Sequence, residues 1–385
     1  MSILKCAVVT VILPFARPSI TAAQSASAAP AANTVTRADL GAAYMRLDRV
    51  VAARPLDDST RASVNRAFDR STLSFFAGRF AAAVATIDSL VVVLTGAPLP
   101  AAVPPPPRLV KGKAPSVARD VFLARLARVD SAGPLAQAVV SARARAALLV
   151  DVPSAERGAE FLSDPARVAS DLEREVSALE RGRNPYVKFA GDLWRSYRGA
   201  NGVVIPYRIV AARAVAGSAK PVPVLFVLHG AGGDENMFID AYGAGITPAM
   251  AAAQGVLLVS PATTPFAASP ENFDVLLTQL RLEYNVDTTR VYVLGHSMGA
   301  GASARLASLR PAVIAAAVCL SGGAAVKVEG APPMLFVGAA LDPIIPARIV
   351  KTAVEGTLTA TYVELPHEGH TLMVANGIRA AFPWM

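Results

Sequence analysis

The chain contains few of the residues that form disulfides and metal sites. Its 385 residues include two cysteines and four histidines. Cys6 lies in an amino-terminal apolar run, so removal of that segment would leave Cys319 alone and would exclude an intramolecular disulfide. The segment Ala316–Leu320 is typical of a buried strand, in which a small thiol packs as a core residue. Residues 36–185 contain neither cysteine nor histidine, so this region shows no recognisable catalytic chemistry.

Aromatic residues and clusters of basic charge are also scarce. Aromatic residues make up 6% of the chain, and no basic cluster is interleaved with them, which argues against a nucleic-acid partner. The formal charge is +8, and the excess lies in residues 36–190, with 22 Lys and Arg against 16 Asp and Glu. Residues 191–385 hold 13 of each sign. We interpret the excess as a solvated arginine-rich helical surface; weak attraction to an anionic envelope surface is the alternative.

The amino-terminal apolar run is short. It covers residues 6–15, whereas a helix that spans a bilayer needs about 20 residues. Lys5 precedes the run, and small residues follow it, with Ala-x-Ala-like sites near Ala23 and Ala28. This pattern predicts a signal peptide over residues 1–28 and an exported mature protein, periplasmic or extracellular, without an integral membrane span. An anchor formed by the uncleaved segment is the alternative.

Composition and apolar spacing divide the next part of the chain. Residues 24–35 are rich in Ala, Ser and Pro, which predicts a disordered linker over residues 29–35, after the signal peptide. Residues 36–185 have helical spacing of apolar residues, which predicts an all-helical region interrupted by a proline-rich segment at 97–115. This helical region either packs on the rest of the chain or forms an independent bundle tethered by residues 183–191.

The pattern changes after Gly182. Trp194–Tyr197 and Val203–Ala212 flank the turn signal Asn-Gly, which predicts a β-hairpin. Short apolar runs then alternate with helical stretches, and they comprise Val224–Leu228, Gly255–Ser260, Arg290–Leu294, Ala315–Leu320, Met334–Val337 and Thr361–Leu365. This order predicts an α/β fold over residues 190–385, a mostly parallel eight-stranded sheet with helices on both faces.

The most informative motif is Gly-His-Ser-Met-Gly at residues 295–299. It follows the apolar run Arg290–Leu294 and precedes small residues compatible with a helix, so Ser297 lies at the apex of a strand–turn–helix unit. Glycines two residues before and after the serine relieve the crowding of so sharp a turn. A serine held there can act as a nucleophile when a histidine reaches it. An ordinary Gly/Ser turn is the alternative.

This motif and the chain order of Ser297, Asp342 and His370 resemble the α/β-hydrolase superfamily over about residues 190–385. Within it, the chain looks most like secreted esterases of the polyhydroxybutyrate depolymerase and feruloyl esterase type. It also looks like the catalytic domain of the prolyl oligopeptidase family. The resemblance implies that Ser297 is the nucleophile, His370 the general base and then acid, and Asp342 the group that orients the histidine.

Each assignment has a competing interpretation. Asp342 lies in the loop after the apolar run Met334–Val337, but it could merely cap a helix that begins near Pro343. His370 follows the last predicted strand in the Gly-His form usual for this family, whereas His367 is expected on the rim of the loop. The His-x-x-His spacing of the two would suit a metal pair, but no third ligand cluster accompanies it, so no metal is expected.

An oxyanion hole needs two backbone N–H groups that point at the developing charge. Met298, directly after the candidate nucleophile, supplies the first. The resemblance implies the second in the loop His229–Asp234, where Ala231 is the expected donor. This loop lacks the Lys and Ser/Thr of a phosphate-binding loop, so no nucleotide is expected. The segment Gly322–Pro333 is too short for the lid of many hydrolases, so the site is open unless the helical region covers it.

These features predict an exported serine hydrolase that cleaves a carboxylic ester through an acyl-enzyme and needs no cofactor. A serine peptidase of prolyl-oligopeptidase type is the alternative, although that family usually adds a β-propeller where this chain has helices. An acyltransferase would use the same residues. The expected partner is therefore an ester or peptide substrate. A binding protein whose helical region recognises a partner is a further alternative, against which the complete set of catalytic residues argues.

Overall fold

The computed structural model describes residues 35–100, 108–152 and 160–385. The predicted signal peptide at 1–28 lies outside these residues, as do residues 29–34 of the predicted linker and 101–107 of the proline-rich segment. Within the described part of the chain, no helix is both long and apolar enough to cross a bilayer.

In the described part of the chain, eight strands form a single sheet. They are β1 Gly191–Arg198, β2 Val204–Ala211, β3 Val222–Leu228, β4 Leu257–Pro261, β5 Val286–His296, β6 Ile314–Leu320, β7 Met334–Ala339 and β8 Ala360–Leu365. Their spatial order is β1-β2-β4-β3-β5-β6-β7-β8. Strand β2 runs antiparallel to both of its neighbours, and all the other neighbouring pairs are parallel. The predicted hairpin and the predicted mostly parallel sheet are therefore confirmed.

Helices precede the sheet and alternate with its strands. Those before β1 are α1 Arg37–Ala53, α2 Asp58–Phe76, α3 Phe80–Thr95, α4 Pro115–Leu126, α5 Ala136–Ala146, α6 Glu160–Ser163 and α7 Pro165–Glu180. Those after β2 are α8 Arg213–Ala216, α9 Ile246–Ala253, α10 Thr263–Ala267, α11 Glu271–Glu283, α12 Met298–Leu309, α13 Ala347–Glu355 and α14 Val374–Trp384. The all-helical character predicted before the sheet is confirmed for the residues that the structure describes.

The two faces of the sheet carry separate hydrophobic cores. Side chains alternate along a strand, so successive residues of β3 point to opposite faces. Val224 and Phe226 belong to one core, and Leu225 and Val227 belong to the other. All four are fully buried, as expected for a central parallel strand covered by helices on both sides.

The helical region is divided between these two faces. Leu47 of α1, Phe68 of α2 and Ile87 of α3 pack in the core that contains Leu225, together with α9 and α14. Helices α4, α5 and α7 pack in the opposite core with α11, α12 and α13. Each fully buried Leu, Ile or Phe contributes about 1.5–3 kcal/mol relative to an exposed one, so packing on the sheet stabilises these helices. The helices of this region therefore pack on the sheet and do not form an independent bundle.

Candidate active site

Ser297 lies in a sharp turn between β5 and α12. Its backbone has φ +55° and ψ −116°, a combination that L-residues rarely adopt. The Ser297 N–H donates to the Leu320 carbonyl at 2.9 Å, which ties the turn to the neighbouring strand. A Cβ on Gly295 would lie 2.0 Å from the Gly299 carbonyl oxygen, and one on Gly299 would lie 1.9 Å from the Leu228 carbonyl oxygen. Both glycines of the motif are therefore required by close backbone approach.

The structure brings Ser297, His370 and Asp342 together in one hydrogen-bonded line. The Nε2 atom of His370 lies 3.0 Å from Ser297 Oγ. The Nδ1 atom of the same ring lies 2.7 Å from Asp342 Oδ2. The Asp342 side chain is fully buried, and that of His370 is 4% exposed. A serine, a base within its reach and a third group that orients the base form the arrangement required for nucleophilic catalysis.

The Asp342 carboxylate has two further partners. Its Oδ1 atom accepts the N–H groups of Ile344 and Ile345, both at 2.8 Å. Burial raises the pKa of this carboxyl, but the hydrogen bond and charge of His370, with the two N–H groups, outweigh it, so the pKa lies below its usual value. The ionised carboxylate holds the proton of His370 on Nδ1 and leaves Nε2 to accept from serine. Asp342 does not cap the following helix, because α13 begins at Ala347 after Pro346.

Ala231 and Met298 are the two residues whose backbone N–H groups were predicted to form an oxyanion hole. Met298 is the first residue of α12, where N–H groups have no intrahelical acceptor and the helix dipole favours negative charge. Ala231 lies in the loop after β3 and lines the same cleft as Ser297. Neither N–H has an acceptor among residues 35–100, 108–152 and 160–385. Unpaired backbone N–H groups beside a nucleophile are the kind of donor that an oxyanion hole requires.

His229 holds the loop that contains Ala231. Its Nδ1 atom lies 2.8 Å from the Gly230 carbonyl oxygen, and its Nε2 atom accepts the Thr263 N–H at 2.9 Å. Burial lowers the pKa of this imidazole, so it stays neutral and the proton resides on Nδ1. His229 therefore fixes the loop through its two ring nitrogens and does not point to the serine.

His296 holds the main chain of the histidine loop. Its Nε2 atom lies 2.9 Å from the His370 carbonyl oxygen, and its Nδ1 atom lies 3.0 Å from the Tyr242 hydroxyl. Burial lowers the pKa of His296 to about 3, so the ring is neutral. Its Nε2–H donates to His370, and its Nδ1 accepts from Tyr242. The second histidine of the sequence motifs thus has a structural role beside the serine.

A set of contacts from α2 was not predicted from the sequence. Arg61, Asn65 and Asp69 are spaced four residues apart and therefore share one face of this helix. That face contacts the loop between β8 and α14, which contains Glu368 and His370. Polar residues at helical spacing were the available signal, but they resemble an ordinary solvated helix face.

His367 lies at the rim of the loop. Its side chain is 39% exposed, and its Nε2 atom lies 3.3 Å from the Asp58 carboxylate. It does not contact Ser297 or Asp342 in the described structure. No group of three His, Cys, Asp or Glu side chains that could hold a metal ion occurs among the described residues.

A cleft of about 390 Å³ separates Ser297 from the first two helices. The loop 230–234 forms one wall, and apolar side chains of α1 and α2 form the other, among them Leu40, Tyr44, Phe68 and Phe75. Arg37 donates to the Gly232 carbonyl and lies over the Phe75 ring at 5.5 Å. The helical region therefore supplies the wall over the site, which the short Gly322–Pro333 segment could not supply.

No protein-family model and no curated protein matches this chain. Among solved structures, it is similar to a thermostable esterase at 22% identity, over 50% of this chain and 62% of that chain, with a TM-score of 0.42. It is similar to an S-formylglutathione hydrolase from Staphylococcus aureus at 14% identity, over 51% and 98% of the two chains, with a TM-score of 0.42. A feruloyl esterase module from Clostridium thermocellum aligns at 14% identity over 51% and 88%, with a TM-score of 0.43.

These alignments span about half of this chain and less than two thirds of the thermostable esterase. The topology of the sheet identifies the fold directly. The order β1-β2-β4-β3-β5-β6-β7-β8 has one antiparallel strand, β2, and the serine turn follows β5. Asp342 follows β7, and His370 follows β8. With this strand order, serine turn and placement of loops, the chain has the α/β-hydrolase fold.

Proposed function

We propose that the protein is a serine hydrolase that cleaves carboxylic esters. The hydrogen-bonded line from Asp342 through His370 to Ser297 carries this proposal, since it opens into a cleft beside two free backbone N–H groups. Nucleophile, base, orienting carboxylate and oxyanion donors are the groups that acyl transfer requires.

In the first half-reaction, Ser297 Oγ attacks the carbonyl carbon while His370 Nε2 takes the hydroxyl proton. The carbonyl oxygen becomes an oxyanion, which the N–H groups of Ala231 and Met298 stabilise. Collapse of the tetrahedral intermediate breaks the ester bond, and His370 gives its proton to the leaving alcohol. In the second half-reaction, water attacks the acyl-enzyme with the same base, which releases the acid and restores Ser297.

The lining of the cleft supports a substrate with an apolar group. The volume of the cleft, about 390 Å³, lies in the range of about 300–1,000 Å³ for small-molecule sites. Leu40, Tyr44 and Phe75 face it with apolar surface, while the Arg37 guanidinium is engaged by the Gly232 carbonyl. An uncharged acyl or alcohol group is the chemistry that matches the wall formed by α1 and α2.

A fluorophosphonate probe tests the class of protein, because it reacts far faster with an activated serine than with an ordinary hydroxyl. We expect folded wild-type protein to incorporate about one label per chain and heat-denatured protein to incorporate none. A panel of acyl esters with different chain lengths should then be hydrolysed faster than peptide amides. A folded protein that takes no label would contradict the proposal and favour a binding protein. Preferential cleavage of amides would favour a peptidase, and transfer to an added alcohol an acyltransferase.

We propose further that the protein is exported and processed. Lys5, the apolar residues 6–15 and the small residues after them support cleavage by a signal peptidase. Amino-terminal sequencing of protein isolated from its native host should find a start between about residues 22 and 30. Recovery of residues 3–15 in the native protein would contradict cleavage and favour an anchor.

A further inference from the structure

We propose that helix α2 positions the catalytic histidine, with Asp69 as the principal positioning residue and Asn65 beside it. This inference rests on the proposed function. Asp69 contacts the main chain of His370 and none of the reacting atoms, so it acts through His370 rather than on substrate. The helical region would thereby take part in catalysis as well as in forming the wall of the cleft.

The loop that contains His370 depends on α2 for its hydrogen bonds. Residues 366–373 lie between β8 and α14 and belong to neither a strand nor a helix. The Gly369 N–H donates to Asn65 Oδ1 at 2.7 Å, and the His370 N–H donates to the Asp69 carboxylate at 3.0 Å. These partners lie 304 and 301 residues away in the chain. Without α2, both N–H groups would lose their protein acceptors.

Every hydrogen-bonding group of His370 has a partner in the structure. The ring contacts Asp342 and Ser297, and the carbonyl oxygen accepts from His296 Nε2 at 2.9 Å. In the described structure, the backbone N–H of His370 donates to the Asp69 carboxylate. Among the described residues, Asp69 is therefore the contact that ties the main chain of His370 to the helical region, while His296 holds its carbonyl oxygen.

The contact between α2 and the loop is tight and buried. A Cβ on Gly369 would lie 2.1 Å from Asp69 Oδ2 and 3.2 Å from Asn65 Oδ1, so only glycine fits. Asp69 is 2% exposed and Asn65 is 3% exposed. Burial raises the pKa of Asp69 to about 6, and the His370 N–H opposes that rise. Burial of a carboxylate costs free energy unless hydrogen bonds compensate for it. The Asp69 carboxylate receives such a hydrogen bond from the loop.

The ion pair of Arg61 and Glu368 extends the same contact. Their closest nitrogen and oxygen atoms lie 3.1 Å apart, and Asn65 Nδ2 donates to the other Glu368 oxygen at 3.0 Å. The Glu368 carbonyl also accepts the N–H of Leu341, the residue before Asp342. The face of α2 thus sets the position of the histidine loop and, through it, of the loop that holds the aspartate.

Loss of Asp69 should lower kcat and leave KM nearly unchanged. A misplacement of about 1 Å in a catalytic group can cost about a hundredfold in rate. We expect Asp69→Ala to reduce kcat by about tenfold to a hundredfold, with KM within about twofold of wild type. Asp69→Asn keeps one acceptor oxygen for the His370 N–H and should recover most of the loss.

Asp57→Ala is the matched control. Asp57 is exposed and caps α2 by accepting the Thr60 N–H at 2.9 Å, so its loss weakens the same helix without contact to the loop. It should lower the thermal midpoint and keep the wild-type kcat. Thermal midpoints and ester kinetics are measured on all variants of the full chain under one set of conditions.

The inference is overturned if the Asp69→Ala and Asp57→Ala variants have the same kcat. It is also overturned if Asp69→Ala raises KM and leaves kcat unchanged. Should Asp69→Ala fail to fold, Gly369→Ala tests the same contact from the loop, because its Cβ would displace the Asp69 carboxylate. A folded Gly369→Ala variant with wild-type kcat also overturns the inference. Wild-type protein that neither takes the fluorophosphonate label nor hydrolyses esters would instead contradict the proposed function.

Discussion

Replacement of Ser297 by alanine is expected to reduce ester hydrolysis by at least about a thousandfold, because removal of one triad member disables the whole unit. The substitution removes only Oγ, and the hydrogen bond from the Ser297 N–H to Leu320 remains. The thermal midpoint should therefore stay near that of wild type. Ester kinetics and thermal unfolding of the purified variant check both expectations, with Ser89→Ala on the exposed side of α3 as a control.

Ser297→Gly separates the chemistry of this position from its conformation. The backbone at φ +55° and ψ −116° costs a non-glycine residue about 1–3 kcal/mol. Glycine removes that cost, and its greater freedom in the unfolded chain offsets only about 0.4–1 kcal/mol. The variant should therefore be as inactive as Ser297→Ala and more stable than it by about 1 kcal/mol. Near-wild-type turnover by either variant would exclude Ser297 as the nucleophile.

His370→Ala is expected to be as damaging as the serine substitution, whereas His367→Ala is not. The His370 ring contacts both Ser297 Oγ and Asp342, so its loss removes the base that contacts the nucleophile. Activity should again fall by at least about a thousandfold. His367 is partly exposed and contacts Asp58 at the rim, so its loss should change kcat by less than about threefold.

The two histidine variants serve as controls for each other, since both change the loop between β8 and α14. Fluorophosphonate labelling should fail in His370→Ala and proceed in His367→Ala. An inactive His367 variant with an active His370 variant would show that the wrong histidine had been assigned. Loss of activity in both, with lower thermal midpoints in both, would point to damage of the loop instead.

The sequence determined the features of this protein that depend on neighbouring residues. Glycines are needed at 295 and 299 because other backbone atoms approach these positions too closely for a side chain. The Gly-x-Ser-x-Gly motif shows both glycines directly. Buried parallel strands are short apolar runs, so the strands β3 to β7 could be located from such runs alone. The chain order of Ser297, Asp342 and His370 then placed each of them after a strand end.

Only the tertiary structure decided what the helical region does. The helices α1–α3 and α4–α7 both place apolar residues in a core, and the sheet face on which each group packs depends on contacts far away in the chain. Asn65 and Asp69 look like solvated polar residues on α2, yet both are buried against a loop about 300 residues away. Such contacts join segments that are distant in the chain, and the four-residue spacing of these polar residues is the same on an ordinary solvated helix face. The strands and the serine turn follow from local sterics, whereas the cleft and the support of His370 follow from packing over the whole chain.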